Sequence, residues 1–481
     1  MMKQHRKHLF LLSITLLLGV LFNFAAPQKA AAETTKKYII GTDVTFAPFE
    51  FQDKKGDFVG IDMDLLKAIG KDQGFEVEIK PLGFNAAVQA LETDQVDGVI
   101  AGMSITDERK QKFDFSDPYF ESGVVMAVAD TNDTIKGYDD LKGKTVAVKT
   151  GTQGAEFAQS IKDKYGFKVT TFDDSSNMYE DVKAGNSDAA FEDYPVMAYA
   201  ITQNVPLKLV TDKEKGGQYG FAVNKGKNQE LLKMFNDGLT NLKNNGEYEK
   251  IQNRYLGEAD KKVEKTSTLA LAKENAGQLM AGLGKTLLIT LISIAIASVL
   301  GILFGLLSVT PSKILRGIAM IYVDIMRGVP MIVFAFFVYF TIPQMLGIKM
   351  PATLAAIIIL SLNAGAYIAE LVRGGINAVD NGQLEAARSL GLPYGKSMSK
   401  IILPQAVKIM IPSFINQFVI TLKDTSILSI IGLVELTQTG KIIIARTYDS
   451  NMWFIIGLMY IIVITFLTKV SNRLERRINN G

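Results

Sequence analysis

The chain has 481 residues, 48% hydrophobic and 21% charged, which is too long for one ordinary domain and mixes soluble with membrane character. Basic and acidic residues nearly cancel, 52 against 49, so a nucleic-acid protein working through bulk positive charge is excluded. Cysteine is absent, and the two histidines are His5 and His8. These counts rule out disulfides, thiolate metal sites, a cysteine nucleophile, a lipidated N-terminal cysteine, and any histidine triad or metal centre in the folded body.

Lys3, Arg6 and Lys7 precede an apolar run from Leu9 to about Ala26, which ends in Lys29-Ala30-Ala31-Ala32. Residues 1–32 therefore read as an export signal or, if uncleaved, an N-terminal anchor. Either form places the chain beyond Ala32 outside the cell. Residues 36–258 read as a soluble α/β domain. Short apolar strands (Tyr38–Gly41, Gly98–Gly102, Thr145–Lys149, Ala189–Phe191) alternate with amphipathic stretches such as Ile61–Gly70 and Met178–Ala184. One pattern occurs twice. Lys80-Pro81-Leu82-Gly83-Phe84 leads through a helical stretch to Asp97-Gly98-Val99-Ile100, and Thr170-Thr171-Phe172-Asp173 leads through another to Asp188-Ala189-Ala190-Phe191. The repeat predicts two similar lobes facing one another, with ligand groups at the strands' C-terminal ends.

Residues 259–278 form a charged linker, and residues 279–481 a membrane domain. No charge appears in Thr286–Ser312, Gly328–Ile348, Met350–Ala369 or Ser450–Thr468, and a further helix is expected within Ile401–Leu422. The pattern predicts about five spanning helices, each needing about 20 residues. Lys313 and Arg316 come after the first span, Arg373, Arg388, Lys396 and Lys400 after the third, and Lys469, Arg473, Arg476 and Arg477 after the last. The positive-inside rule makes these segments cytoplasmic. A multi-pass cell-membrane protein in contact with lipid results, its soluble domain on the extracellular face.

In the soluble domain, Arg109 comes after the strand ending at Gly102. A guanidinium there can hold a carboxylate bidentately, helped by the Ser104 hydroxyl; the plain alternative is a surface arginine paired with Asp107 or Glu108. Asp193 occupies the matching place in the second copy and can receive an ammonium, or it caps the helix that begins at Pro195. A cation on one lobe and an anion on the other suit a zwitterionic α-amino acid. Phe46 and Phe84 offer apolar faces, as clamp or as core.

Gly41-Thr42-Asp43, Phe46-Ala47-Pro48-Phe49-Glu50-Phe51, Gly60-Ile61-Asp62-Met63-Asp64 and Ser104-Ile105-Thr106-Asp107-Glu108-Arg109 through Phe113-Asp114-Phe115-Ser116 resemble the polar-amino-acid substrate-binding proteins of bacterial importers. That resemblance implies a type II periplasmic-binding-protein-like fold. Lobe 1 would comprise about 36–127 and 221–258, lobe 2 about 128–220, with hinge crossings near Met126–Ala129 and Tyr219–Val223. It also implies that Arg109 binds the α-carboxylate, Asp193 binds the α-ammonium, Phe46 and Phe84 sandwich the side chain, and Gly102, Ser104 and Thr152 line the site. Asp43 and Lys149 match residues that hold the side-chain amide in glutamine-binding members. A carboxamide can accept from the lysine and donate to the aspartate, whereas a cationic side chain brings a second positive charge against Lys149. The expected order is L-glutamine, then glutamate, then basic amino acids such as arginine and histidine. Glu192 departs from the glutamine-binding pattern.

In the membrane half, Glu385-Ala386-Ala387-Arg388-Ser389-Leu390-Gly391 leads, nine residues later, to Ile401-Ile402-Leu403-Pro404. Physically this is a helix ended by Gly391 and Pro393, then a second short helix stopped near Pro404. Small Ala386 and Ala387 permit close approach of another protein. The run resembles the coupling loop of type I ABC importer permeases, and around it Arg327-Gly328-Val329-Pro330, Tyr367 to Ile376 and Leu422 to Ser426 resemble the amino-acid branch of those permeases. The resemblance implies that Glu385, Ala386, Ala387, Gly391 and Pro404 dock a cytoplasmic ATPase and that two permease copies pair as a homodimer. Asp324, Arg327, Glu370, Lys423 and Asp424 are candidate pathway charges. Gly284-Lys285-Thr286 and Gly143-Lys144-Thr145 lack the first glycine of a phosphate loop, with Leu279 and Tyr138 in its place. ATP and magnesium then belong to a partner subunit, and the chain carries no cofactor and no enzyme activity. A ligand-gated channel or sensor is the rival, disfavoured because no Thr-Val-Gly-Tyr-Gly filter is present and only Asn472 to Gly481 remain after the last span.

Overall fold

The computed structural model describes residues 36–214, 216–256 and 267–479. The export signal or anchor of residues 1–32, the last two residues of the expected soluble domain (257–258) and linker residues 259–266 lie outside the described residues.

The first lobe contains β1 (Lys37–Asp43), α1 (Ile61–Gln73), β2 (Glu76–Leu82), α2 (Phe84–Glu92), β3 (Gly98–Val99) and β4 (Phe113–Phe115). The second contains β5 (Val124–Ala129), β6 (Thr145–Lys149), α3 (Gln153–Tyr165), β7 (Lys168–Phe172), α4 (Ser175–Lys183), β8 (Ala189–Asp193), α5 (Tyr194–Thr202) and β9 (Leu207–Leu209), before β10 (Ala222–Asn224) returns to the first. The sheet orders are β2-β1-β3-β10-β4 and β7-β6-β8-β5-β9. In each, the first three strands are parallel and the strand arriving from the other lobe inserts antiparallel. The duplicated strand–helix–strand pattern of the sequence thus becomes two sheets of one topology. The C-terminal ends of β1, β6 and β8 carry Asp43, Lys149 and Asp193.

The crossings pair with one another as a short ribbon, Gln218–Tyr219 against Phe120–Glu121. The outgoing crossing lies before Val124, earlier than Met126–Ala129. Those residues instead pair with β8 and β9 inside the second lobe's core. Helix α1 buries Ile61, Leu65, Leu66 and Ile69 along one stripe. Against it packs α6 (Gln229–Asn244), through Leu231, Phe235 and Leu239, with α7 (Glu247–Leu256) next in the chain.

The helical half comprises α8 (Thr268–Glu274), α9 (Ala276–Ser308), α10 (Lys313–Gly328), α11 (Met331–Phe336), α12 (Ala352–Asn377), α13 (Asn381–Ser389), α14 (Leu403–Asp424), α15 (Leu436–Thr447) and α16 (Met452–Asn479). The final part of the expected linker, from Ser267, is therefore helical, with the Ser267 side chain capping α8. Among the described residues, four helices are long and apolar enough to cross a membrane, or five if a bent pair is one span. That pair, Lys313–Gly328 and Met331–Leu346, turns through 103° at Val329-Pro330, where proline removes a backbone donor. Helices α9 and α12 pack closely because a Cβ on Gly301 would stand 2.4 Å from Ile368 Cγ2.

The segment after α13 differs from the sequence reading. No helix stops near Pro404; the chain runs on as one helix from Tyr394 to Ile431. A widened turn over Met398–Ile402 precedes the proline, and that wider winding accommodates its missing N–H.

Candidate functional site

Between the two sheets lies a cavity of about 10 Å3, lined by Phe46, Phe84, Ala101, Gly102, Ser104, Arg109, Lys149, Thr152, Gln153 and Asp193. Eight of the nine residues singled out from the sequence meet there. Asp43 does not line it. It lies behind Lys149, with Oδ2 accepting from the ammonium and Oδ1 accepting from the Thr45 N–H and hydroxyl. Ala101 and Gln153 are additions that the sequence does not point to. Gln153 directly follows Thr152, whose hydroxyl caps α3, and its Oε1 accepts from Gly217 N at 3.0 Å.

Arg109 is not paired with Asp107 or Glu108. Its guanidinium donates to Ser104 O on its own lobe at 2.9 Å and to Gly151 O on the other at 2.6 Å. It lies over the Phe84 ring at 5.4 Å, 3.7 Å from Glu156. Gly102 has φ +52, and a Cβ there would meet the Phe46 ring at 2.5 Å. Only glycine accommodates both the backbone and that approach.

Asp193 stands at the N-terminus of α5, yet its side chain does not cap that helix. Oδ2 accepts from the Tyr219 hydroxyl, and Oδ1 is buried without a partner. Burial and the neighbouring Glu192 push its carboxyl up to about 7, against the pull of Tyr219, Lys149 and Arg109. A buried, half-satisfied carboxylate beside a guanidinium is arranged to accept one more donor.

The Lys149 ammonium sits 4.6 Å from the Phe46 ring centre. Burial pulls it down, but Asp43, Glu192 and Glu50 outweigh that and raise it above the ordinary lysine value. Glu192 accepts from the hydroxyls of Ser175 and Tyr179 and from Asp193 N. Glu50 is fully buried beside Asp62, and burial with Asp62 and Asp43 nearby holds its carboxyl well above the usual range. Phe84 also borders a second cavity of about 610 Å3, lined on the other side by Ile332, Phe336, Ser426, Ile430, Gln438 and Lys441 of the helical half.

The residues expected to form a coupling loop sit on and after α13. Glu385 and Ala386 are exposed, while Ala387 is buried, so only one of the two small residues is open to a partner. Gly391 has φ +79. Pro404 is the second residue of α14 within the continuous helix.

Two α/β lobes around a polar cavity, continued by helices long and apolar enough to cross a membrane, have the architecture of a membrane importer subunit with a solute-binding domain. Residues 38–258 match the bacterial extracellular solute-binding proteins, family 3, and residues 297–480 match the binding-protein-dependent transport system inner membrane component. The chain is similar to the arginine transport system permease protein ArtQ of Bacillus subtilis, 37% identical over 42% of this chain and 93% of that protein. It is also similar to the arginine-binding extracellular protein ArtP of Bacillus subtilis, 34% identical over 52% of this chain and 98% of that protein. A third relative is the glutamine transport system permease protein GlnP of Escherichia coli, 34% identical over 41% and 92%. The chain belongs to the amino-acid ABC importers, as a solute-binding domain fused to its transmembrane permease. In this family the ATP-hydrolysing subunit is a separate chain.

Proposed function

We propose that the extracellular domain captures L-glutamine and delivers it to the permease of the same chain, which works as a homodimer with cytoplasmic ATPase subunits docked on α13. The observation that carries the capture step is the unpartnered Oδ1 of Asp193, a residue that lines one cavity together with Arg109. Arg109 would exchange its carbonyl acceptors for the α-carboxylate, and Asp193 would take the α-ammonium. An amino acid does not fit within about 10 Å3, so loading requires the lobes to part about the Phe120–Tyr219 ribbon. Release past Phe84 would open into the larger cavity over the permease.

Lys149 is the cavity's side-chain cation, and a carboxamide oxygen can accept from it. Asp43, saturated by Lys149 and Thr45, acts through the lysine rather than on the ligand. A basic amino acid is the second reading, favoured by the three carboxylates around Lys149 and by the likeness to an arginine-binding protein. Uptake of labelled glutamine and arginine into membrane vesicles from cells carrying the chain and its ATPase tests the choice. ATP-dependent glutamine uptake that unlabelled arginine does not compete away is the expected result; arginine uptake alone would overturn it. Lys149→Met should weaken glutamine binding by roughly ten- to a hundredfold, the worth of one charge-assisted hydrogen bond.

A further inference from the structure

We propose that α15 is a clasp that holds lobe 1 permanently and grips lobe 2 only when the cleft is closed, so that the permease reads ligand capture through this one helix. The inference rests on the capture reading above and adds the element that senses it.

Lobe 1 is tied to the permease at several points independent of closure. Arg446 of α15 donates to the carbonyls of Gln52 and Asp53, and its other nitrogen donates to Asn275 between α8 and α9. Lys54 pairs with Glu274 at 2.6 Å. At another edge, Lys349 pairs with Asp97 at 2.6 Å, and the Gln95 amide bonds Ile348 O and Met350 N at 3.0 and 2.8 Å.

Lobe 2 meets the same helix differently. Lys441 reaches Asp174 at 3.3 Å. Tyr448, which ends α15 in the left-handed region at φ +51, packs its ring 6.1 Å from Tyr179. Asp174 caps α4, so both contacts fall on one helix of the moving lobe. Tyr179 also bonds Glu192, which faces Lys149 in the ligand cavity. With lobe 1 anchored, rotation of lobe 2 away from it carries Asp174 and Tyr179 off α15, while Arg446 keeps its hold. Whatever favours closure then favours the clasp, and the reverse holds by linkage.

The chain has no cysteine, so introduced pairs report cleanly. In the full chain in lipid nanodiscs, a Lys441→Cys/Asp174→Cys pair and an Arg446→Cys/Asp53→Cys pair are treated with a short bismaleimide, without ligand and with saturating amino acid. The ligand is whichever of glutamine, glutamate and arginine the wild-type chain binds in a parallel titration. The clasp predicts that crosslinking of the first pair rises several-fold with ligand while the second does not change. Ligand-independent crosslinking of the first pair, or equal response of both, overturns it. A wild-type chain that binds none of the three amino acids would instead overturn the capture reading, and the clasp with it. As a second measure, Lys441→Ala should weaken amino-acid binding by the full chain roughly two- to fivefold, the range of one partly exposed ion pair; unchanged affinity contradicts the closed-state grip.

Discussion

Asp193 in the cleft and Glu435 in the permease are both buried carboxylates standing immediately before a helix, and they are used in opposite ways. Glu435 caps α15: its oxygens accept from the N–H groups of Thr437 and Gln438 and from the Tyr460 hydroxyl, with Thr286 at 3.5 Å. Asp193 turns away from the helix behind it and leaves one oxygen without a donor. A satisfied carboxylate strengthens the fold, whereas a half-satisfied one stores an unmet demand that a ligand can meet. Permease hydroxyls of Thr286, Thr290, Thr421 and Thr425 likewise bond back to their own helices.

If that contrast is right, disabling the cleft costs binding and disabling the cap costs stability. The largest effect is expected from Arg109→Ala, which removes the cation for the α-carboxylate and should weaken amino-acid binding by about 3–5 kcal/mol in calorimetric titration of the full chain. Retained affinity would break the comparison at its functional end. Asp193→Asn comes next, at about 2–3 kcal/mol, the worth of a hydrogen bond to a charged group, and it also changes the pH profile. The carboxyl is pushed up to about 7, and only its ionised form pairs with an ammonium. Affinity should therefore fall as pH drops below 7, approaching tenfold per unit, because binding must then expel a proton. The asparagine variant should show a flat profile over the same range. The smallest effect is expected from Glu435→Ala: about 1–2 kcal/mol lost from thermal unfolding in detergent through the missing cap, with amino-acid affinity unchanged.

Much of the cleft is legible in the sequence because its chemistry is written locally and twice. Arg109 and Asp193 each come after a strand in equivalent halves of a duplicated pattern, and Lys149 ends the strand between them. Gln153 escapes notice because the first residue of a helix carries no signal beyond the cap before it. Asp43 reads as a pocket residue, but nothing in a strand's sequence tells whether its last side chain reaches the ligand or the lysine in front of it. Pro404 misleads for a physical reason: proline breaks an ordinary helix, and the widened turn that spares this one has no sequence mark of its own. Lys441 and Arg446 cannot be found at all, since their partners Asp174 and Asp53 lie hundreds of residues away and no periodicity links them.

In the proposed reading Arg109 and Asp193 take the two ends of a zwitterion, and the most direct test changes the ligand rather than the protein. The full chain in nanodiscs is titrated calorimetrically with L-glutamine, with its α-amide, which lacks the carboxylate, and with N-acetyl-L-glutamine, which lacks the ammonium. Tight binding of glutamine and no measurable heat from either analogue is the result predicted by Arg109 on one lobe and Asp193 on the other. Binding of either analogue as tight as that of glutamine would contradict it.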